Sequence, residues 1–225
     1  MGKLVVIEGL DGSGKATQTA LLAERLAARG QLARMVSFPD YKSHSSALVR
    51  MYLGGEFGSD PMAVNAYAAS AFYAVDRFAS FAKDWGAFYR EGGTVLADRY
   101  TTSNAIHQCA KLPRGEWAGY TAWLEDFEYA KLGIPKPDLV ICLDVDPLVS
   151  QKLLAARYGG EEKRDIHEQD IAYLQACRTA AHWCAGHLGW VTVACSRDGG
   201  MRPIGEISAD IDSIIQKDLL PEEQL

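Results

Sequence analysis

The feature that most constrains this chain is a glycine-rich stretch near its start, GLDGSGKAT at residues 9–17. It follows an apolar run, KLVVIEG, that is typical of a buried strand, and it precedes a helical pattern, TALLAERLAARG, that ends at Gly30. A strand, a glycine-rich turn and a helix in this order form a phosphate-binding loop, whose backbone N–H groups surround an anion at the helix N-terminus. The sequence therefore predicts a nucleoside triphosphate site at residues 9–17.

Position 16 of this loop departs from the usual pattern, which has serine or threonine there to supply a hydroxyl to a metal ion. Ala16 has no hydroxyl, but Thr17, the phosphates, Asp98 and water can complete an octahedron around Mg²⁺. We expect Lys15 to reach the β- and γ-phosphates. The predicted triphosphate-binding residues are Gly9, Leu10, Asp11, Gly12, Ser13, Gly14, Lys15, Ala16 and Thr17.

Five short apolar runs along the chain predict strands that are buried on both faces. Helical patterns lie between these runs, and no repeat or linker interrupts the alternation. This predicts one domain over residues 1–225, with a three-layer α/β fold in which helices flank a central parallel five-stranded sheet. The runs are Leu4–Ile7, Leu32–Phe38, Thr94–Ala97, Leu139–Leu143 and Trp190–Val193.

Charge and cysteine content exclude several classes of protein. The net charge of −6 argues against a nucleic-acid polymer as partner, because such polymers are bound by a basic face. The five cysteines have no metal-ligand spacing, which indicates reduced thiols in a cytosolic protein. No signal-peptide pattern and no apolar stretch of the roughly 20 residues needed to span a bilayer occur, so we expect a cytoplasmic protein without membrane contact.

A long helical pattern runs from about Met62 to Tyr89. Apolar residues recur in it at intervals of three and four, which predicts one stripe facing the core. Tyr73 and Arg77 project from roughly the opposite side, so they are either part of a solvated face or available to a ligand. The predicted core stripe consists of Val64, Tyr67, Ala68, Ala71, Val75, Phe78, Ala82, Trp85 and Tyr89.

Two further segments carry candidate chemistry. TVLADRY (94–100) is a strand pattern that places Asp98 and Arg99 at the carboxyl edge of the sheet beside the loop, as ligand contacts or as a buried structural pair. In the next segment Asn104 lies one turn from His107 and Gln108, and its amide can read a base edge. The charged stretch RYGGEEKRDIHE (157–168) is either a solvated loop or a lid that brings cations over phosphates.

Together these motifs resemble those of thymidylate kinases. GLDGSGKAT, SFPDY (37–41), FYAVDR (72–77), DRYTTSN (98–104) and RYGGEEKRDIHE occur in the order and spacing of that family, from Lys3 to about Ile215. The resemblance implies a P-loop kinase domain with a lid at about 157–168. It also implies transfer of the γ-phosphoryl of ATP to dTMP, giving dTDP, with Mg²⁺ as cofactor and a homodimer formed through helix faces.

The resemblance also implies roles for individual residues. Asp98 and Asp11 would lie at the metal, and Tyr73 would stack on thymine with Phe72 as a substitute. The implied catalytic residues are Lys15, Asp98, Arg99, Arg157, Lys163 and Arg164. The implied dTMP-binding residues are Asp11, Phe38, Pro39, Tyr41, Phe72, Tyr73, Arg77, Arg99, Ser103, Asn104, His107 and Gln108.

The chain departs from the family pattern at Ala16, at Asp40, where many relatives have arginine, and at His107, where many have tyrosine. Two other functions compete with this interpretation. A nucleoside kinase has no acceptor phosphate to hold, so Arg99 and Tyr41 favour a monophosphate acceptor. A GTP-dependent switch requires an Asn-Lys-x-Asp guanine reader, and the sequence contains no such tetrapeptide.

Overall fold

The computed structural model describes residues 1–158 and 171–219. Its centre is one parallel sheet made of the strands β1 (Lys3–Gly9), β2 (Ala33–Ser37), β3 (Thr94–Asp98), β4 (Leu139–Asp144) and β5 (Val191–Ala194). The strand order is β2-β3-β1-β4-β5. Each predicted strand is present within a few residues of its expected bounds, which confirms the three-layer α/β fold.

Helices cover both faces of this sheet. They are α1 (Lys15–Ala28), α2 (Ala47–Leu53), α3 (Ala66–Ser80), α4 (Gly86–Arg90), α5 (Thr101–Cys109), α6 (Trp117–Glu125), α7 (Pro147–Tyr158), α8 (Ile171–Leu188) and α9 (Ile204–Asp218). Two π-helical segments, Phe81–Trp85 and Asp126–Lys131, extend α3 and α6. A small antiparallel ribbon pairs β6 (Ser196–Arg197) with β7 (Gly200–Met201).

The central strand β1 shows why the apolar runs are continuous rather than alternating. Val5 and Ile7 pack into a core with α1 and α9, whereas Leu4 and Val6 pack into a second core that contains Trp85. All four β1 side chains are fully buried. Burying such a side chain contributes about 1.5–3 kcal/mol, so both layers of helices hold this strand in the centre of the sheet.

The predicted core stripe of α3 is wrong over its middle part. Tyr67, Val75 and Phe78 are 43%, 50% and 44% exposed, while Asp76 and Arg77 on the other side are buried. The helix turns small and polar residues toward the rest of the domain, because the buried side is built around an ion pair described below rather than around large apolar groups. The interpretation of Arg77 as part of a solvated face is therefore wrong. Three stripe residues are buried as predicted, Val64, Trp85 and Tyr89.

The register of the sheet brings three candidate segments together. Asp98 of β3 lies beside Ile7 of β1 on one side and beside Ser37 of β2 on the other. The chain leaves these strands as the glycine-rich loop, the Phe38–Pro39 segment and Arg99. These segments therefore line one crevice at the carboxyl edge, where open α/β sheets bind ligands.

Two predictions about the whole chain concern cysteines and membranes. All five cysteines are free and buried, which agrees with their interpretation as reduced thiols. Across residues 1–158 and 171–219, no helix is both long and apolar enough to cross a bilayer.

Candidate active site

The glycine-rich loop takes its shape from backbone conformations that favour glycine. Gly12 and Gly14 have φ values of +77° and +90°, in the left-handed region. A Cβ atom at Gly9 would lie 2.7 Å from the carbonyl oxygen of Leu143, so the close approach of the loop to β4 also requires glycine. Gly14 is the N-cap of α1 and contributes no side-chain cap. The first N–H groups of α1 are therefore available to an anion.

Lys15 is the first residue of α1, and its side chain is buried at the floor of the crevice. Its Nζ donates a hydrogen bond of 2.9 Å to the carbonyl oxygen of Leu10 and lies 3.9 Å from Asp11 Oδ1. Burial, followed by the nearby Arg99 guanidinium, lowers the pKa of Lys15. A bound polyphosphate would compensate this buried ammonium group, which fits Lys15 for the role predicted from the motif.

Arg99 has a left-handed backbone conformation that is rare outside glycine, with φ of +67°. Its backbone N–H donates to the carbonyl oxygen of Ile7 at 3.1 Å. Its guanidinium forms an ion pair with Asp11 and donates to Ser103 Oγ at 3.3 Å. The turn after β3 thus directs Arg99 back toward the glycine-rich loop, where it lines the cavity described below.

The carboxylates and cations at this edge of the sheet shift each other's pKa values. Burial alone would raise the pKa of Asp11, but Arg99 and Lys15 lower it well below its usual range. Burial would lower the pKa of Arg99, yet Asp11 and Glu8 raise it above the ordinary arginine value. Burial raises the pKa of Asp98, and Lys15 offsets part of that effect. A further cation would therefore favour the ionised form of Asp98.

Glu8 was not among the predicted site residues, although it contacts several of them. It is fully buried, and its carboxylate accepts hydrogen bonds from Thr102 Oγ1 at 2.6 Å and Ser103 Oγ at 2.8 Å. Arg99 lies 3.7 Å away. The available signal was a single acidic residue inside an otherwise apolar strand, where a charge needs partners to be stable.

Arg77 anchors the opposite wall of the crevice. It is 1% exposed and donates two hydrogen bonds to the Glu128 carboxylate, of 2.7 Å from Nε and 2.5 Å from Nη2. Asn104 Nδ2 donates to the same carboxylate and to the carbonyl oxygen of Ser70, both at 3.2 Å. Glu128 was not among the predicted site residues, and the π-helical segment after α6 brings it to this position.

A cavity of about 350 Å³ joins the glycine-rich loop to this wall. Most predicted site residues of the described chain line it, and Ser37, Leu53 and Tyr100 are lining residues that were not predicted. The predicted residues in the lining are Asp11, Gly12, Gly14, Lys15, Ala16, Thr17, Phe38, Pro39, Tyr41, Tyr73, Arg77, Asp98, Arg99, Ser103, Asn104, His107 and Gln108.

Some predicted residues lie outside the lining. Gly9, Leu10 and Ser13 belong to the loop but do not line the cavity, and Leu10 and Ser13 are buried. Phe72 packs against the rings of Tyr52 and Phe57, so the lining contains Tyr73 and not its predicted substitute.

Two side chains of α5 complete the pocket. Gln108 is fully buried, and its amide finds no hydrogen-bond partner within the described part of the chain. His107 Nδ1 lies 3.5 Å from Cys177 Sγ, and the imidazole ring packs 6.2 Å from the Tyr173 ring. A buried amide without a partner is costly, so Gln108 is suited to a ligand that both donates and accepts.

The predicted lid cations fall at the edge of what the structure describes. Arg157 belongs to α7, whose backbone alone is described at this position. Lys163 and Arg164 lie outside the described residues.

The chain is similar in sequence to known proteins of one family. The family model described as "Thymidylate kinase" matches residues 7–198. A thymidylate kinase of Mycobacterium tuberculosis is 34% identical over 163 residues, covering 72% of this chain and 73% of the relative. One from Schizosaccharomyces pombe is 30% identical over 169 residues, covering 75% and 72%. A probable thymidylate kinase of Pyrobaculum aerophilum is 29% identical over 213 residues, covering 95% and 96%. The chain belongs to the thymidylate kinase family.

Proposed function

We propose that the cavity at the carboxyl edge of the sheet carries out phosphoryl transfer between two nucleotides, with ATP on the glycine-rich loop and dTMP against α3 and α5. As a member of its family, the chain phosphorylates dTMP to dTDP with ATP as the donor. The observation that carries the assignment of roles is that one cavity contains both Lys15 and the wall formed by Arg77 and Asn104.

The reaction requires little covalent chemistry from the protein. A phosphate oxygen of dTMP attacks the γ-phosphorus of ATP, and the bond between that phosphorus and the β–γ bridging oxygen breaks to release ADP. The transition state spreads negative charge over the transferred group, so alignment and nearby cations supply most of the rate. Lys15 holds the ATP phosphates, and Arg99 holds the dTMP phosphate while Asp11 and Glu8 fix its guanidinium.

The acceptor base lies against α3 and α5. Tyr73 stacks on thymine, and Phe38 and Pro39 form the wall on the side of β2. Thymine presents one N–H donor between two carbonyl acceptors, and the Gln108 amide, which has no hydrogen-bond partner among residues 1–158 and 171–219, complements it. Arg77 and Asn104 read the same edge, and their shared contact with Glu128 holds them in place before the base arrives.

The residues present fit a magnesium ion. Asp98 lines the cavity, and burial raises its pKa, which a neighbouring cation would reverse. Asp11 already contacts Arg99 and Lys15, so Asp98 is the better oxygen ligand and Thr17 adds a hydroxyl nearby. Mg²⁺ supplies positive charge to the ATP phosphates when it is bound, and it keeps several waters, so the missing hydroxyl at Ala16 is tolerated.

The single domain with a lid at about 157–168 stays a prediction from the sequence. Its support is the family resemblance of RYGGEEKRDIHE, a charged stretch that begins at the end of α7. In this proposal at least one of Arg157, Lys163 and Arg164 contacts the transferred group.

The exposed apolar stripe of α3 supports a homodimer. Tyr67, Val75 and Phe78 share one face of the helix, and Tyr67 also packs against Trp123 of α6. A second copy of this chain would cover the stripe in a two-fold arrangement. Sedimentation of a Phe78→Asp variant should then show monomers, with the exposed Leu32→Asp variant as a dimeric control. Wild-type protein that sediments as a monomer would contradict the dimer.

The proposed surroundings of the enzyme follow from charge and cysteine chemistry. Five free thiols fit the reducing cytoplasm. The net charge of −6 disfavours nucleic-acid polymers, which leaves small nucleotides as the partners besides a second copy of the chain.

Steady-state assays with a panel of acceptors test the proposed function. With ATP and Mg²⁺, we expect phosphorylation of dTMP, and weaker use of dUMP because loss of the thymine methyl removes an apolar contact worth about 1 kcal/mol. CMP and GMP are the controls for base choice. Protein that is active on CMP or GMP and silent on dTMP would refute the assignment.

A further inference from the structure

A lysine that the proposed reaction does not use lies behind the acceptor wall. Lys111 follows the end of α5 by two residues and is not part of the cavity lining. Its Nζ donates a hydrogen bond of 2.7 Å to Tyr52 Oη and one of 3.1 Å to the carbonyl oxygen of Val64. The same atom lies 4.9 Å from the centre of the Tyr52 ring. Lys111 therefore joins α5 to α2 and to the segment before α3.

Tyr52 connects Lys111 to a residue of the cavity lining. It is fully buried, and its ring meets the Tyr73 ring edge-on, with the ring centres 6.4 Å apart. Tyr73 lines the cavity, and Phe72 packs against another side of Tyr52. The chain of contacts from Lys111 through Tyr52 to Tyr73 thus reaches the aromatic ring that faces the acceptor base.

Lys111 is a partly buried lysine with a lowered pKa. Burial lowers its pKa to about 8, while the Asp60 carboxylate before α3 acts in the opposite direction. At neutral pH the ammonium group is mostly protonated and has donors for both of its oxygen partners. Hydrogen bonds from a charged donor are about twice as strong as neutral ones, so this contact fixes the Tyr52 ring firmly.

We infer that Lys111 is a positioning residue for the acceptor base: through Tyr52 it holds Tyr73 at the spacing from α5 that thymine requires. This inference rests on the proposed function, because it assigns Tyr73 to base stacking. A site holds its ligand well only when the residues behind the contact surface are themselves fixed. Losing Lys111 should therefore weaken dTMP binding without affecting the ATP site.

Steady-state kinetics of the full chain with dTMP and ATP test this inference. Lys111→Met keeps most of the side-chain volume and should raise KM for dTMP about tenfold, because it removes the charge-assisted hydrogen bond that holds Tyr52, along with the one to the Val64 carbonyl oxygen. KM for ATP and kcat at saturating dTMP should stay within about twofold. Lys111→Arg keeps the cation and should restore KM for dTMP to within about threefold of wild type. Lys131→Met, at an exposed lysine paired with Asp126, is the matched control and should behave as wild type.

The outcomes separate this inference from the proposed function. Wild-type protein that does not phosphorylate dTMP defeats the proposed function itself. An active wild type with a folded Lys111→Met variant of unchanged KM for dTMP overturns only the role of Lys111, as does an equal loss at the ATP site. If Lys111→Met does not fold, Tyr52→Phe decides the question, since it keeps the ring and removes the hydroxyl acceptor. That variant should raise KM for dTMP, and an unchanged KM overturns the inference.

Discussion

The two halves of the cavity, to which we assign the donor and the acceptor nucleotide, are built in different ways. The donor half is a run of nine consecutive residues whose shape comes from glycine conformations and from the start of α1. The acceptor half depends on contacts between residues far apart in sequence, such as the pair of Arg77 with Glu128, 51 residues away. A local motif therefore defines the first half, whereas the second exists only when the helices around it are packed.

The largest expected effect is on the donor half. Lys15→Ala should lower kcat by about 10³-fold or more, because the variant loses the buried cation to which we assign the ATP phosphates. The melting temperature should stay close to that of wild type, since the ammonium group is itself disfavoured by burial. Kinetics and thermal unfolding measure both quantities, with Lys131→Ala as the exposed control. A near-normal kcat would show that the loop does not hold the triphosphate.

Asp98→Asn should have opposite effects on catalysis and on stability. We expect kcat to fall about 10²-fold with a higher Mg²⁺ requirement. Because burial raises the folded-state pKa of Asp98 above its unfolded value, the ionised form costs folding free energy as the pH rises through that folded pKa. Asparagine resembles the protonated form, so the variant at pH 7 without Mg²⁺ should be at least as stable as wild type. A less stable variant with an unchanged Mg²⁺ dependence would contradict the assignment of Asp98 to the metal.

In the acceptor half, Arg77→Ala should damage binding and folding together. It leaves the Glu128 carboxylate buried without its partner, which costs about 3–5 kcal/mol of unfolding free energy. KM for dTMP should rise at least tenfold, on the order expected for a lost charged hydrogen bond. The double variant Arg77→Met/Glu128→Met removes both charges and should recover stability but not dTMP affinity. Recovery of both would reduce Arg77 to a structural role.

The contrast between a local motif and contacts distant in sequence also explains which features could be predicted from the sequence. The strand runs, the glycine-rich loop and the DRY segment each carry their signal in adjacent residues, and the structure places them at one sheet edge as expected. The periodicity of α3 predicted the wrong buried face, because an ion pair and small residues outweigh the large apolar groups there. Glu8 and Glu128 escaped prediction for a related reason. A buried carboxylate is recognised by its partners, and those partners are distant in sequence.

The most direct test of two separable halves is calorimetric titration of Asn104→Ala with dTMP and with a non-hydrolysable ATP analogue. Asn104 lines the acceptor wall and contacts Glu128, but it makes no contact with the glycine-rich loop among the hydrogen bonds of the described residues. We predict that the dissociation constant for dTMP rises about tenfold, the effect of one lost hydrogen bond in a buried site. The affinity for the ATP analogue should be unchanged. A loss confined to the ATP analogue, with normal dTMP binding, would contradict the account.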